Sequence, residues 1–336
     1  MKLHHYTKLV AGATLVLIVA GGLVTSTGSG LAVPDWPLSY GMLFPPMVGG
    51  ILYEHGHRMI AGTVAILTAI MALWLKLREP RRWVWRLGGL ALLAVILQAV
   101  LGGLTVIFLL PDAISIAHAC LAQTFFCLVV TIALVTSPGW VAASTTAPRF
   151  EDRGSPSLRV LAYAVFAAIY VQLVLGALVR HMDAGLAIPD FPLAFGQIIP
   201  PLHAKTVAVH FAHRVWAMVV LALIVWTAAR TGRHHKEDRG ILRPSMMLAT
   251  LVLVQIALGA STIWTRRAVP VATAHVAVGA TLLATALVLA IRVTRASTAA
   301  VARERAGVHA GADVGAGAQP VRAAATVGSV PSQVRA

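Results

Sequence analysis

The chain of 336 residues is 58% hydrophobic and only 12% charged, with a mean hydropathy of +0.81, a balance that excludes an ordinary water-soluble domain. Its 27 Lys and Arg against 12 acids leave a formal charge of +15, but the basic residues form short clusters between long apolar runs, as topology signals do, so nucleic-acid binding is not expected. Cys120 and Cys127 share one apolar segment; they read as packing residues, not as a disulfide framework or a zinc site.

In chain order, apolar stretches long enough to cross a hydrocarbon core of about 30 Å fall near residues 8–26, 57–76, 87–108, 115–136, 158–179, 207–229, 245–264 and 271–291. The first follows Lys2 and Lys8 but lacks an A-x-A cleavage site, so it reads as a retained helix. Basic clusters follow the second span (Lys76, Arg78, Arg81, Arg82, Arg86), the fourth (Arg149, Arg153, Arg159) and the sixth (Arg230, Arg233, Lys236, Arg239, Arg243). The connections after spans one and three have almost none, which puts both termini in the cytoplasm. Arg266 and Arg267, after the seventh span, run against this rule. From residue 296 to 336 the chain is mostly Ala, Gly, Val and Arg, too poor in large side chains to offset ordering entropy, and is expected to be a disordered cytoplasmic tail.

An internal repeat organises the rest. Gly30-Leu-Ala-Val-Pro-Asp-Trp-Pro-Leu-Ser-Tyr-Gly41 returns as Gly185-Leu-Ala-Ile-Pro-Asp-Phe-Pro-Leu-Ala-Phe-Gly196. His57-Arg58 returns as His213-Arg214, Gln98 with Leu101-Gly102 as Gln255 with Leu258-Gly259, and Ala117-His118 as Ala274-His275. The offset is 155 at Gly30/Gly185 and 157 at His118/His275. The expected fold is therefore an all-α integral membrane protein of eight transmembrane helices, arranged as two pseudo-symmetric four-helix bundles. An even number of spans per half inserts both halves in the same direction, about an axis along the membrane normal. The halves are 1–140 and 158–295, joined by a cytoplasmic linker at 141–157.

Ionisable side chains within spans are costly and point to function. His57, His118, His213 and His275 hold repeat-equivalent places, expected within about the first turn of spans two, four, six and eight, at one depth near the outer face. Two imidazoles facing each other across a bundle interior supply what six-coordinate heme iron needs, which pairs His57 with His118 and His213 with His275. Against this stand interfacial histidines bonded to loops or water, and a copper or zinc site, for which neither half offers further Cys or clustered carboxylate ligands. Glu54 lies one turn before His57, over the same heme edge, while its counterpart is His210; it is a candidate catalytic acid, or a residue favoured by a helix N-terminus. Arg58 and Arg214 suit heme propionates, or else snorkel to headgroups. The GLAxPDxPL loops read equally as lids over each site or as interfacial anchors. The QxxLG segments read chiefly as packing. His4, His5, His55, His181, His203, His234 and His235 receive no ligand role.

The segments TSTGSGLAVPDWPL, EHGHR and IAHAC, with their echoes GLAIPDFPL, HFAHR and TAHVAVG, resemble the heme A synthase family over about residues 8 to 292. The resemblance implies two-step oxidation of the C8 methyl of heme O to a formyl group, giving heme A for terminal oxidases. It implies that His57 and His118 hold heme O with Glu54 assisting, and that His213 and His275 hold a permanent heme b. Heme O synthase, cytochrome c oxidase assembly factors, membrane lipid and an unidentified electron acceptor are the partners it suggests, and self-association is left open. The outer-loop cysteine pair of some members is absent here, and His210 departs from a simple heme b pocket. The rival readings are a diheme electron-transfer protein without hydroxylase activity and, from another class, a repeat-built transporter with a midplane site.

Overall fold

The computed structural model describes residues 2–142, 152 and 154–316, with side chains described to residue 298. Each expected span lies within one helix: α1 Leu3–Ser26, α2 Gly49–Arg78, α3 Arg82–Ile107, α4 Asp112–Val135, α6 Leu158–His181, α7 Lys205–His234, α8 Arg239–Trp264 and α9 Val269–Ala316, with a short α5 at Pro138–Ala142. Eight of these are long and apolar enough to cross a membrane, where a helix satisfies every backbone group within itself. Buried hydroxyls follow the same logic. Thr14, Thr68, Thr227 and Thr231 donate to carbonyls one turn back at 2.7–2.8 Å, so these four hydroxyls are satisfied within their own helices. Large apolar side chains such as Ile66, Leu73, Leu93 and Leu253 point outward, as suits a protein solvated by lipid.

Packing closes twice into a ring. α1, α2, α3 and α4 each touch the next and α4 returns to α1; α6, α7, α8 and α9 repeat the pattern. The rings meet where α1 and α4 lie against α6 and α9. α9 is the most enclosed, with 56% of its apolar stretch buried against 22% for α2 and α7. His118 and His275 thus come from helices at the centre, His57 and His213 from helices at the periphery. Lys76, Arg81, Arg86 and Arg295 lie over the rings of Trp85, Trp83, Trp85 and Trp140, an aromatic and basic belt typical of a membrane interface.

Two boundaries differ from expectation. α2 and α7 open at Gly49 and Lys205, α4 and α9 at Asp112 and Val269, so the histidines sit about 12 Å (His57, His213) or about 9 Å (His118, His275) from their helix starts, about two turns in and not one. The polar EHGHR stretch had hidden the first turns of α2, which begin soon after Pro45-Pro46. At the other end, α9 stays helical past residue 296 to Ala316. The remainder of the expected tail, 317–336, and Arg149 and Arg153 of the expected basic loop lie outside the described residues.

Close approach of α2 and α3 depends on Gly88, where an added Cβ would stand 2.9 Å from Leu75 Cδ1 and 3.4 Å from the Ala72 backbone. Gly88→Leu should lower stability by about 1–3 kcal/mol, read as a reduced Tm in detergent, whereas Gly89→Leu, with nothing within 4 Å, should leave Tm unchanged.

Candidate functional site

Each of the four histidines rests on a glycine of the preceding long helix. A Cβ at Gly21 would stand 3.1 Å from His57 Cε1, at Gly102 3.1 Å from His118 Cε1, at Gly176 3.2 Å from His213 Cε1, and at Gly259 3.2 Å from His275 Cε1. Only glycine lets an imidazole lie this close to a neighbouring backbone. His57 and His118 come from α2 and α4, diagonal members of the first ring, and His213 and His275 from α7 and α9 of the second. The members of each pair are electrostatic neighbours. Nδ1 of His57, His118 and His275 is buried without a hydrogen-bond partner, a condition that costs about 1–3 kcal/mol per group unless a ligand or water engages the ring.

Glutamines brace these rings. Gln98 Nε2 donates to His118 O at 2.9 Å and Gln172 Nε2 to His213 O at 3.0 Å, while Gln255 Nε2 lies 3.3 Å from His275 Nε2. The Gln and Gly of each QxxLG segment therefore serve the histidines as well as helix packing. Sequence reasoning missed Gly21, Gly176 and Gln172. The two glycines stand at the repeat offset of 155, and Gln172 with Leu175-Gly176 forms a third QxxLG segment, which are the signals that would have found them; the position equivalent to Gln172 in the first half is Leu17.

Between His213 and His275 opens a cavity of about 330 Å³ that reaches Ser26, Cys120 and Gln123 of the first half. Its lining includes Arg180, Arg214 and Arg267 and no carboxylate. A flat apolar ligand bearing anionic groups, with an atom able to accept two imidazole nitrogens, fits this lining; heme has that chemistry.

The loops between α1 and α2 and between α6 and α7 are latched in parallel fashion. Glu54, 4% exposed, accepts from Val33 N at 2.8 Å and from Arg58 Nη2 at 2.6 Å. Arg58 also donates from Nη1 to the carbonyls of Asp35 and Leu38 at 2.7 and 2.8 Å. In the second half His210, also 4% exposed, faces Ile188 N at 3.3 Å and Arg214 Nε at 3.2 Å, and Arg214 donates to Leu193 O and Ile188 O at 3.0 Å each. The structure thus places both arginines on loop carbonyls. A neutral imidazole has one acceptor nitrogen whereas a carboxylate has two oxygens, so the first latch is the shorter and stronger.

Within each loop one aspartate ties a turn. Asp35 accepts from Tyr40 N and Gly41 N at 2.7 and 2.8 Å, Asp190 from Phe195 N and Gly196 N at 2.7 and 2.8 Å. Tyr40, Gly41, Phe195 and Gly196 all take positive φ. These bonds, from Gly41 and Gly196 foremost, hold both carboxyls below the usual carboxylate range, so the turns keep this support above that range and lose it as pH falls through the lowered values. Trp36 lies on Gly103, where a Cβ would come 2.7 Å from its ring; in the second half the smaller ring of Phe191 and the larger Ala260 take these places. The loops are structured covers fastened to the histidine-bearing helices. His55, without a repeat partner, bonds Ser39 Oγ at 2.8 Å and belongs to the same cover.

Arg58→Ala would leave Glu54 buried and unpaired, a loss of about 3 kcal/mol. Hydrogen exchange at residues 33–41 should accelerate on the order of a hundredfold, while residues 188–196 stay protected; equal protection of both loops would dismiss the latch.

A profile of the family described as "Cytochrome oxidase assembly protein" matches residues 48–287. The chain is 32% identical over 291 residues to a heme A synthase of Halalkalibacterium halodurans, covering 82% of this chain and 91% of that protein. It is 29% identical to one of Alkalihalophilus pseudofirmus, covering 88% and 99%, and 30% identical to one of Caulobacter sp. strain K31, covering 85% and 94%. With a match over most of its length and this set of relatives, the chain belongs to the heme A synthase family of multi-pass membrane proteins.

Proposed function

We propose that the protein is a heme A synthase, an oxidoreductase that converts the C8 methyl of heme O to a formyl group by two successive two-electron oxidations, through the alcohol. The first half, 1–140, holds heme O between His57 and His118, and the second, 158–295, holds a resident heme b between His213 and His275. When bound, heme b supplies one-electron redox chemistry. The residues of the chain seat the imidazoles, exclude water with the latched loops and fix the substrate edge near Glu54. The observation that carries this reading is the set of four glycine-seated imidazoles in two diagonal pairs, with a carboxylate at position 54 in the first half only.

Glu54 is the group we assign to the reacting edge of heme O, where a carboxylate handles a proton or steadies developing positive charge. Its ties to Val33 and Arg58 set the carboxylate at one place under the cover. Heme O arrives from heme O synthase and the product goes to cytochrome c oxidase assembly. The basic ends of α2 and α7, with Lys76, Arg78 and Arg233 in their last turns, support a bacterial cell-membrane protein with both termini cytoplasmic.

Expression in membranes supplied with heme O, followed by mass analysis of extracted hemes, should yield the alcohol and heme A; unchanged heme O with full heme loading would favour a diheme electron carrier. Glu54→His places in the first half what the second half already carries, so heme content should hold while aldehyde formation falls by about 100-fold or more. Persistent aldehyde formation would leave Glu54 only its loop contacts. Alkaline phosphatase fused within residues 197–203 should be active and the same reporter fused at residue 336 inactive; the reverse pattern would invert the topology.

A further inference from the structure

We infer that Arg180 and Arg267 form an anion clamp that makes the second cavity a retaining site for its heme, whereas the first half, with Thr25 and Leu110 in the corresponding places, is built for exchange. This rests on the reading that both bundles hold hemes.

The correspondence is structural as well as sequential. Arg180 stands one turn beyond the Gly176 seat of His213, as Thr25 stands one turn beyond the Gly21 seat of His57. Arg266 and Arg267 close α8 with φ of 51° and 67°, and Leu109 and Leu110 close α3 with 58° and 61°. The side chains at these places pack on the same loop glycine: a Cβ on Gly185 would meet Arg267 Cδ at 3.5 Å, and one on Gly30 would meet Leu110 Cδ1 at 3.3 Å. The repeat has kept the backbone and changed only the side chains, from Thr and Leu to two guanidinium groups.

Both arginines line the cavity between His213 and His275, which has no carboxylate in its lining. Arg214, the third arginine there, is engaged with loop carbonyls. Arg180 makes its two hydrogen bonds, to Gly22 O at 2.8 Å and Ser26 Oγ at 2.6 Å, from Nη2 alone, which leaves Nε and Nη1 as donors. No carboxylate among the described residues pairs with it. Arg267 pairs with Asp183 at the rim, where Asp183 is 81% exposed and such a pair yields at little cost. The two guanidinium groups are electrostatic neighbours, so they repel each other unless an anion lies between them. The two propionates of a heme supply that anion, in a geometry guanidinium groups hold through paired hydrogen bonds. The position of Arg267, on the side of the membrane where basic residues are otherwise scarce, follows from this role and not from topology.

The division of labour suits the chemistry. A substrate site must release its product, while an electron-passing heme must stay. Thr25 and Leu110 offer a propionate neither charge nor a forked donor.

The test measures heme loss from the purified, heme-loaded protein to excess apomyoglobin, by absorbance, for protoheme and for its dimethyl ester. Wild type should show a fast and a slow phase, with the slow phase lost for the ester. In Arg180→Ala/Arg267→Ala the slow phase should quicken by at least about tenfold and cease to distinguish protoheme from the ester. Thr25→Arg/Leu110→Arg should slow the fast phase. An unchanged slow phase in the double alanine variant, or an ester released from wild type as slowly as protoheme, overturns the clamp. Should the alanine variant fail to fold, the ester comparison on wild type decides alone. A slow phase that survives His213→Ala would instead overturn the assignment of heme to the second bundle, whatever the arginines do.

Discussion

The close contact between an imidazole and a glycine of the neighbouring helix is the constraint on which both sites depend. A histidine inside a lipid-solvated bundle is costly to hold, because its ring nitrogens want partners that apolar neighbours cannot give. Placing the Cε1 edge of the ring close against Gly21, Gly102, Gly176 and Gly259 limits its rotation and fixes its depth. The diagonal placing of α2 with α4, and of α7 with α9, then sets two such rings on opposite sides of one interior. Lengthening any of the four glycines by a branched side chain would push an imidazole toward its diagonal partner and close the space between.

Above the histidines, the two halves solve one problem with different chemistry. Position 54 or 210 must satisfy a loop amide and an arginine at once. Glu54 does so with two oxygens at 2.6 and 2.8 Å; His210 presents Nδ1 to the amide and Nε2 to the arginine at 3.3 and 3.2 Å, of which a neutral imidazole can accept from one at a time. An acid here pairs directly with Arg58, whereas His210 brings no carboxylate to Arg214, whose acidic neighbour is Asp190 of the loop. The second half thereby gains positive potential, which Arg180 and Arg267 increase. Charge separates the two bundles at these positions.

Much of this was legible in the sequence. All eight spans fall on helices because a run of some twenty apolar residues has few other ways to exist in lipid, and the repeat singled out the four histidines that the structure seats on glycines. The parts not legible were those decided by contacts across long separations. Arg58 and Arg214 read from sequence as suited to propionates or headgroups, and their bonds to loop carbonyls 20–26 residues away had no local signal. The latch that ties each loop to its helix was likewise hidden, because its partners lie 20 or more residues apart. The first turns of α2 were missed because polar residues facing an interior break the apolar run just as a loop would. Arg266 and Arg267 looked like an exception to a topology rule, when the informative comparison was with Leu109 and Leu110 one repeat earlier.

The last turn and a half of α1 belongs to both sites. Gly21 seats His57, the next residue, Gly22, gives its carbonyl to Arg180, and Ser26 accepts from both Arg180 and Thr273 of α9. Gly22 also lies against Thr273, where a Cβ would come 3.4 Å from Cγ2. One rigid helical segment thus fixes an imidazole of the first site relative to the charged wall of the second. A shift of α1 that loosens the seat of His57 must also disturb the hydrogen bonds of Arg180, since a helix carries displacement along its axis with little bending. The two sites are for this reason held at a set spacing, a condition that the proposed passage of electrons between them requires.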